Sequence, residues 1–164
     1  MFSSKSGFLI LLACLLKGGA LAASGSGFAV SVSGDQVLRG IDGESGSGED
    51  GVSLFRDPPA FFTAAGADLS LHGDDVFTPG GFGHSVHLQG DRAIIGASGA
   101  SMETGAAYIY SYLDLGADTD RSPEMKLTSS YEIAGSRFGA SVYLSGDRAL
   151  VGAPGDEWSN GGVY

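Results

Sequence analysis

Phe82-Gly83-His84-Ser85-Val86-His87-Leu88-Gln89-Gly90-Asp91-Arg92-Ala93-Ile94-Ile95-Gly96-Ala97-Ser98 is followed, 56 residues on, by Phe138-Gly139-Ala140-Ser141-Val142-Tyr143-Leu144-Ser145-Gly146-Asp147-Arg148-Ala149-Leu150-Val151-Gly152-Ala153-Pro154. The interval holds beyond these segments. Gly34-Asp35 precedes Gly90-Asp91 by the same 56 residues, Gly105 and Tyr108 recur as Gly161 and Tyr164, and Leu69 and Leu71 match Met125 and Leu127. A fixed period of this length over most of a chain is the mark of a repeat architecture.

Each unit reads as four short strands. Val86 and Leu88 alternate with polar neighbours, the pattern of a strand with one packed face. Gly90-Asp91 links that strand to the next as a tight hairpin, because Gly accepts positive φ and Asp bonds its own backbone. Ala93-Ile94-Ile95-Gly96-Ala97 is a continuous apolar run, expected of a strand buried on both faces. Ala106 to Tyr112 supplies a third strand and Met125 to Thr128 a fourth. Gly83, Gly96 and Ala97, with Gly139, Gly152 and Ala153, put small residues where a strand has another backbone close against it. On this reading Phe82 and Phe138 fill the space between neighbouring units, and a side chain at Gly152 would be poorly tolerated. Helical periodicity is absent after the first two dozen residues, so the expected class is all-β.

These residues resemble the FG-GAP repeats of integrin α-like β-propellers. The motif stands here as Phe138-Gly139, Gly152-Ala153-Pro154 and Gly162-Val163-Tyr164, with a second copy in Phe82-Gly83 and Gly96-Ala97-Ser98. The resemblance implies four-stranded antiparallel blades, of which this sequence holds about two and a half repeats. A closed ring of the family has about seven blades, so further repeats or oligomeric partners are expected to complete it. The expected divisions are residues 1–22 as a leader, 27–81 as a degenerate repeat, 82–137 as a repeat and 138–164 as a partial one, the last three within a repeat region 23–164. Many relatives carry an Asp-x-Asp-x-Asp calcium loop between the first two strands of a blade. Gln89-Gly90-Asp91-Arg92 and Ser145-Gly146-Asp147-Arg148 hold one carboxylate each, too few for calcium's six to eight oxygens.

The leader follows from Lys5, the apolar run Phe8 to Leu16 and the small-x-small site Ala20-Leu21-Ala22, the tripartite form of a secretory signal. The run is too short to span a bilayer. An alternative is a lipobox, Leu11-Leu12-Ala13-Cys14, which would anchor the chain through Cys14, although Leu12 fits it poorly and apolar residues continue past the cysteine. Cys14 is the sole cysteine, which excludes an intramolecular disulfide. The formal charge of −10 becomes −12 without residues 1–22, which carry Lys5, Lys17 and no acid. So acidic a chain excludes nucleic acid as a partner and favours cations, basic ligands or plain solubility.

Candidate chemistry is thin. His84 and His87, three apart on a strand, point to opposite faces and cannot share an ion. His72 with Asp74 and Asp75 lacks a fourth ligand and reads as a polar turn. Asp114, Asp118 and Asp120 alternate in part like a calcium loop, without the glycine or closing glutamate at the expected spacing. Asp42, Glu44, Glu49 and Asp50 lie among glycines and read as solvated loop. No mature cysteine, Gly-x-Ser-x-Gly elbow or paired carboxylate with a raised pKa offers a catalytic group. Trp158 is a candidate contact for a ligand or for the next blade. The resulting expectation is a secreted, non-catalytic scaffold that binds an extracellular protein or glycan. The alternatives are the N-terminal part of an extracellular enzyme whose catalytic domain lies beyond Tyr164, and a structural surface array.

Overall fold

The computed structural model describes residues 28–41, 51–56, 68–73, 80–113, 120–131, 133–156 and 161–164. The expected signal segment 1–22 lies outside these residues.

Three sheets follow one another along the chain, and each opens on the same hairpin. In the first, β1 (Phe28–Ser33) turns at Gly34-Asp35 into β2 (Gln36–Ile41), followed by β3 (Gly51–Arg56) and β4 (Leu69–Leu71), all antiparallel. In the second, β5 (Phe82–Gln89) turns at Gly90-Asp91 into β6 (Arg92–Ala97), then β7 (Ala106–Tyr110). A two-residue strand, β8 (Asp120–Arg121), leaves to pair in parallel with β4 of the first sheet, and β9 (Met125–Leu127) returns to β7. The third sheet comprises β10 (Ser141–Ser145), β11 (Arg148–Ala153) and β12 (Gly162–Val163). The sheet orders are therefore β1-β2-β3-β4-β8, β5-β6-β7-β9 and β10-β11-β12, and none closes on itself. They are incomplete propeller blades, and the molecule is all-β.

The hairpin glycines Gly34, Gly90 and Gly146 have φ of 62°, 58° and 58°, the left-handed region that an L side chain enters only at a cost. Their register, Ser33↔Gln36, Gln89↔Arg92 and Ser145↔Arg148, leaves a two-residue loop in every unit.

Alternation then decides where the cores form. Ile95 points back toward the first sheet and joins Leu38, Val52, Leu54, Leu69, Leu71, Phe82, Leu88 and Tyr108 in one apolar cluster. Ile94 points forward and joins Ala107, Ile109, Phe138, Leu144 and Val151 in a second cluster. The cores are thus between sheets, and β6 is buried on both faces. The ring of Phe82 meets Tyr108 edge-on at 5.6 Å, and Phe138 meets Tyr164 at 5.4 Å.

Two details differ from the strand pattern read in the sequence. The third strand of the second unit stops at Tyr110 instead of running to Tyr112. Arg121 donates to the carbonyls of Ser111 and Tyr112, at 3.1 and 2.5 Å, while Leu113 N–H donates to Asp91 O, and together these bend the chain away. Tyr112 itself has φ 58°. The strand β8 was not legible beforehand, since two residues carry no periodicity; only pairing with β4 makes Asp120–Arg121 a strand.

Candidate functional site: the seams between units

The first strand of each unit faces the first strand of the next. Leu88 N–H of β5 donates to Ser31 Oγ of β1 at 2.9 Å, and Gly90 N–H donates to Ser33 Oγ at 3.0 Å. One unit later, Leu144 N–H of β10 donates to His87 Nδ1 at 3.1 Å, and Gly146 N–H to Gln89 Oε1 at 3.0 Å. All four bonds span 57 residues. Adjacent inner strands are therefore joined by side-chain acceptors, at the positions held by Ser31/His87 and Ser33/Gln89. The corresponding pair in the third unit is Tyr143 and Ser145.

Glycines let the seams close. A Cβ on Gly40 would overlap the carbonyl of Gly83, and one on Gly96 would overlap the carbonyl of Gly139. Gly83 and Gly139 have φ of 94° and 89°, so the Phe-Gly pair is a conformational requirement as well as a spatial one. Gly152, at the position of Gly96, differs. Among the described residues the three atoms nearest an added Cβ there all belong to Ser141, and the one close approach is its Oγ, a side-chain atom able to rotate away. At Gly96 the opposing backbone, the Gly139 carbonyl, comes from the following unit. Ala97 and Ala153 are fully buried, whereas Gly152 is half-buried and Pro154 is exposed.

A second contact joins the loop after β6 to the start of the third unit. Residues Ala100–Glu103 form a single turn in which Ser101, Met102 and Glu103 have φ of 52°, 60° and 63°. Three consecutive left-handed residues other than glycine are costly and persist only where their surroundings hold them. Here Arg137, at φ 55°, donates its N–H to Glu103 O at 2.9 Å, and its guanidinium pairs with Glu103 Oε2 at 3.0 Å. Phe138 N–H and Ser136 Oγ both donate to Thr104 O. The Met102 side chain remains 87% exposed.

A third cluster was missed by sequence reasoning. Asp156 is completely buried and accepts from the hydroxyls of Ser129, at 3.2 Å, and Tyr164. Tyr131 N–H donates to Ser129 Oγ at 3.3 Å. The signal lay in the repeat itself, where Asp156 occupies the position of apolar Ala100. Arg39 is a similar case. It occupies the position of Ile95, is nine-tenths buried over the Phe55 ring at 5.6 Å, and burial pushes its pKa down.

The histidines do not converge. A bulge between Phe82 and Ser85 places His84 on the exposed surface, whereas the His87 ring meets that of Tyr143 at 4.2 Å, tilted by 46°, within the second seam. His72 is exposed after β4. Asp91 and Asp147 occupy hairpin turns, and Arg92 reaches across the seam to Gly146 O at 3.1 Å and Asp147 at 3.7 Å. Of the calcium candidates, Asp120 opens β8, while Asp114 and Asp118 lie outside the described residues. So do Asp42, Glu44, Glu49, Asp50, Asp74, Asp75 and Trp158. Among the described residues no three His, Cys, Asp or Glu side chains gather as a metal site, and no helix is long and apolar enough to cross a membrane.

A family model described as FG-GAP repeat matches residues 68–110 and 122–164, more than half of the chain. The chain belongs to the FG-GAP repeat family. No curated protein matches it. The matched FG-GAP units begin on the outer strand of one sheet, β4 or just before β9, and end with the third strand of the next, β7 or β12. Each FG-GAP unit as a stretch of sequence therefore bridges two sheets, and the seam contacts join one unit to another: His87 and Gln89 of the first match meet Leu144 and Gly146 of the second. What the arrangement can do chemically follows from this: its polar side chains hold units in register, as a scaffold requires.

Proposed function

We propose that this FG-GAP chain is a secreted, non-catalytic scaffold that presents its inter-unit loops to an extracellular protein or glycan. The observation that carries this reading is the turn Ala100–Glu103. It is held in a costly left-handed conformation by Arg137, Ser136 and Phe138 of the next unit, while Met102 projects into solvent. Backbone strain of this kind is retained where a rigid loop has a recognition task, and Met is an adaptable contact residue. The leader expected over residues 1–22 supports export. Fold alone does not assign function, so the loop and not the propeller is the basis of the proposal.

The test is to express the full chain in a secreting host and recover it from the medium. The recovered protein is then screened against immobilised glycans and extracellular matrix proteins, beside a Met102→Glu variant of unchanged melting temperature. Processing after Ala22 and a ligand lost on Met102→Glu are expected. Retention inside cells, or turnover of a glycoside, ester or peptide substrate that a point substitution abolishes, would overturn the reading.

A further inference from the structure

The two seams are built alike but not from the same chemistry. At the first, the acceptor for the next strand's amide is Ser31, a hydroxyl that does not titrate in the ordinary pH range. At the second it is the ring nitrogen Nδ1 of His87. An imidazole accepts only while neutral, and with Nδ1 accepting, its proton sits on Nε2. Once protonated, the ring has two N–H donors and no acceptor, and Nδ1–H would be directed at Leu144 N–H.

We infer that the seam between the second and third units is a proton-sensitive joint, closed while His87 is neutral and loosened when it is protonated. Little in the surroundings would compensate the imidazolium. The strands packed around β5 carry Arg39 on β2, Arg56 on β3, Arg92 on β6 and Tyr143 on β10, and β1 carries no titratable group. On β5 itself the other titratable residue is His84. No carboxylate lies in any of these six strands. The closest in sequence, Asp35, Asp91 and Asp147, sit in the hairpin turns, where Arg92 already reaches Asp147. The Tyr143 ring lies against the imidazole, tilted by 46°. Burial accordingly lowers the His87 pKa from its ordinary 6.5.

The direction follows from linkage. A base whose folded pKa is depressed contributes full stability above its unfolded pKa and loses it as pH falls below that value. The seam is therefore intact at pH 7 to 8 and weakens below 6.5, the ordinary value for His87. One proton gives at most about a tenfold fall in the folding constant per pH unit. The apolar cluster behind the seam, Ile94, Phe138, Leu144 and Val151, becomes accessible as it opens.

Amide hydrogen exchange on the full chain between pH 8 and 5 tests this, after correction for intrinsic exchange rates. Leu88, held by Ser31, is the internal control. Protection at Leu144 is expected to fall relative to Leu88 as His87 titrates, with a midpoint matching that of the His87 ring in an NMR titration. In His87→Ser, which copies the first seam, the two amides should keep a constant ratio, and His84→Ser should behave as the wild type. Equal pH profiles for Leu144 and Leu88 in the wild-type chain would overturn the inference. So would a Leu144 loss that persists in His87→Ser, and if that variant fails to fold, the wild-type comparison decides alone.

Discussion

The strands Arg92–Ala97 and Arg148–Ala153 differ at two of six positions, Ile94/Leu150 and Ile95/Val151, yet they live in different environments. Ile94 is fully buried, whereas Leu150 is 53% exposed. Their partners diverge in the same way: Ala107 and Tyr108 of β7 are buried, while the matching Val163 is 75% exposed and Tyr164 38% exposed. The backward-facing residues agree, since Ile95 and Val151 are both buried against a preceding sheet. The lesson is that a repeat's forward face is completed only by its neighbour. Identical local chemistry yields a core on one side and an open surface on the other.

The comparison can be broken most decisively at the paired glycines. Gly96→Val places branched carbon against the Gly139 carbonyl, a clash that neither backbone can easily relieve. We expect it to abolish cooperative unfolding or cost more than about 4 kcal/mol. At Gly152 the one close approach to an added Cβ is Ser141 Oγ, and Gly152→Val gains strand propensity, so about 1 kcal/mol is expected. Urea unfolding of both variants distinguishes these outcomes, and equal losses would mean that the third unit's forward face is also crowded.

A smaller effect separates the isoleucine from its counterpart. Ile94→Ala should cost about 3 kcal/mol, the usual loss for a large aliphatic group from a packed core. Leu150→Ala should cost less than about 1 kcal/mol, because half of its surface already meets water. Thermal melts read at matched protein concentration would check the difference. The smallest change is expected at the loop contact, where Glu103 and Arg137 are both more than half exposed. Removing that pair by Glu103→Gln should shift stability by no more than about 0.5 kcal/mol, and added salt should erase the difference.

Much of the fold was legible in the residues because its signals are local and repeated. Gly34-Asp35, Gly90-Asp91 and Gly146-Asp147 mark the hairpins through backbone conformation alone. Ala93 to Ala97 is apolar on both faces because both are buried. The strand Asp120–Arg121 was not legible, since its partner β4 lies about 50 residues earlier and no local pattern encodes the pairing. The Ser129-Asp156-Tyr164 cluster was equally hidden. Three isolated polar residues acquire meaning only when the chain path brings them together around a buried carboxylate.

By itself, the sequence determined the 56-residue period, the all-β units, their hairpins and the small residues at which backbones approach. These depend on φ preferences and two-residue alternation, which act between near neighbours. Tertiary structure alone decided which of two matching glycines is crowded, which of two matching aliphatic residues is core, and that His87 accepts the Leu144 amide across a seam. Each of these is a property of what lies on the other side of a sheet, and that surface is supplied by residues a whole repeat away.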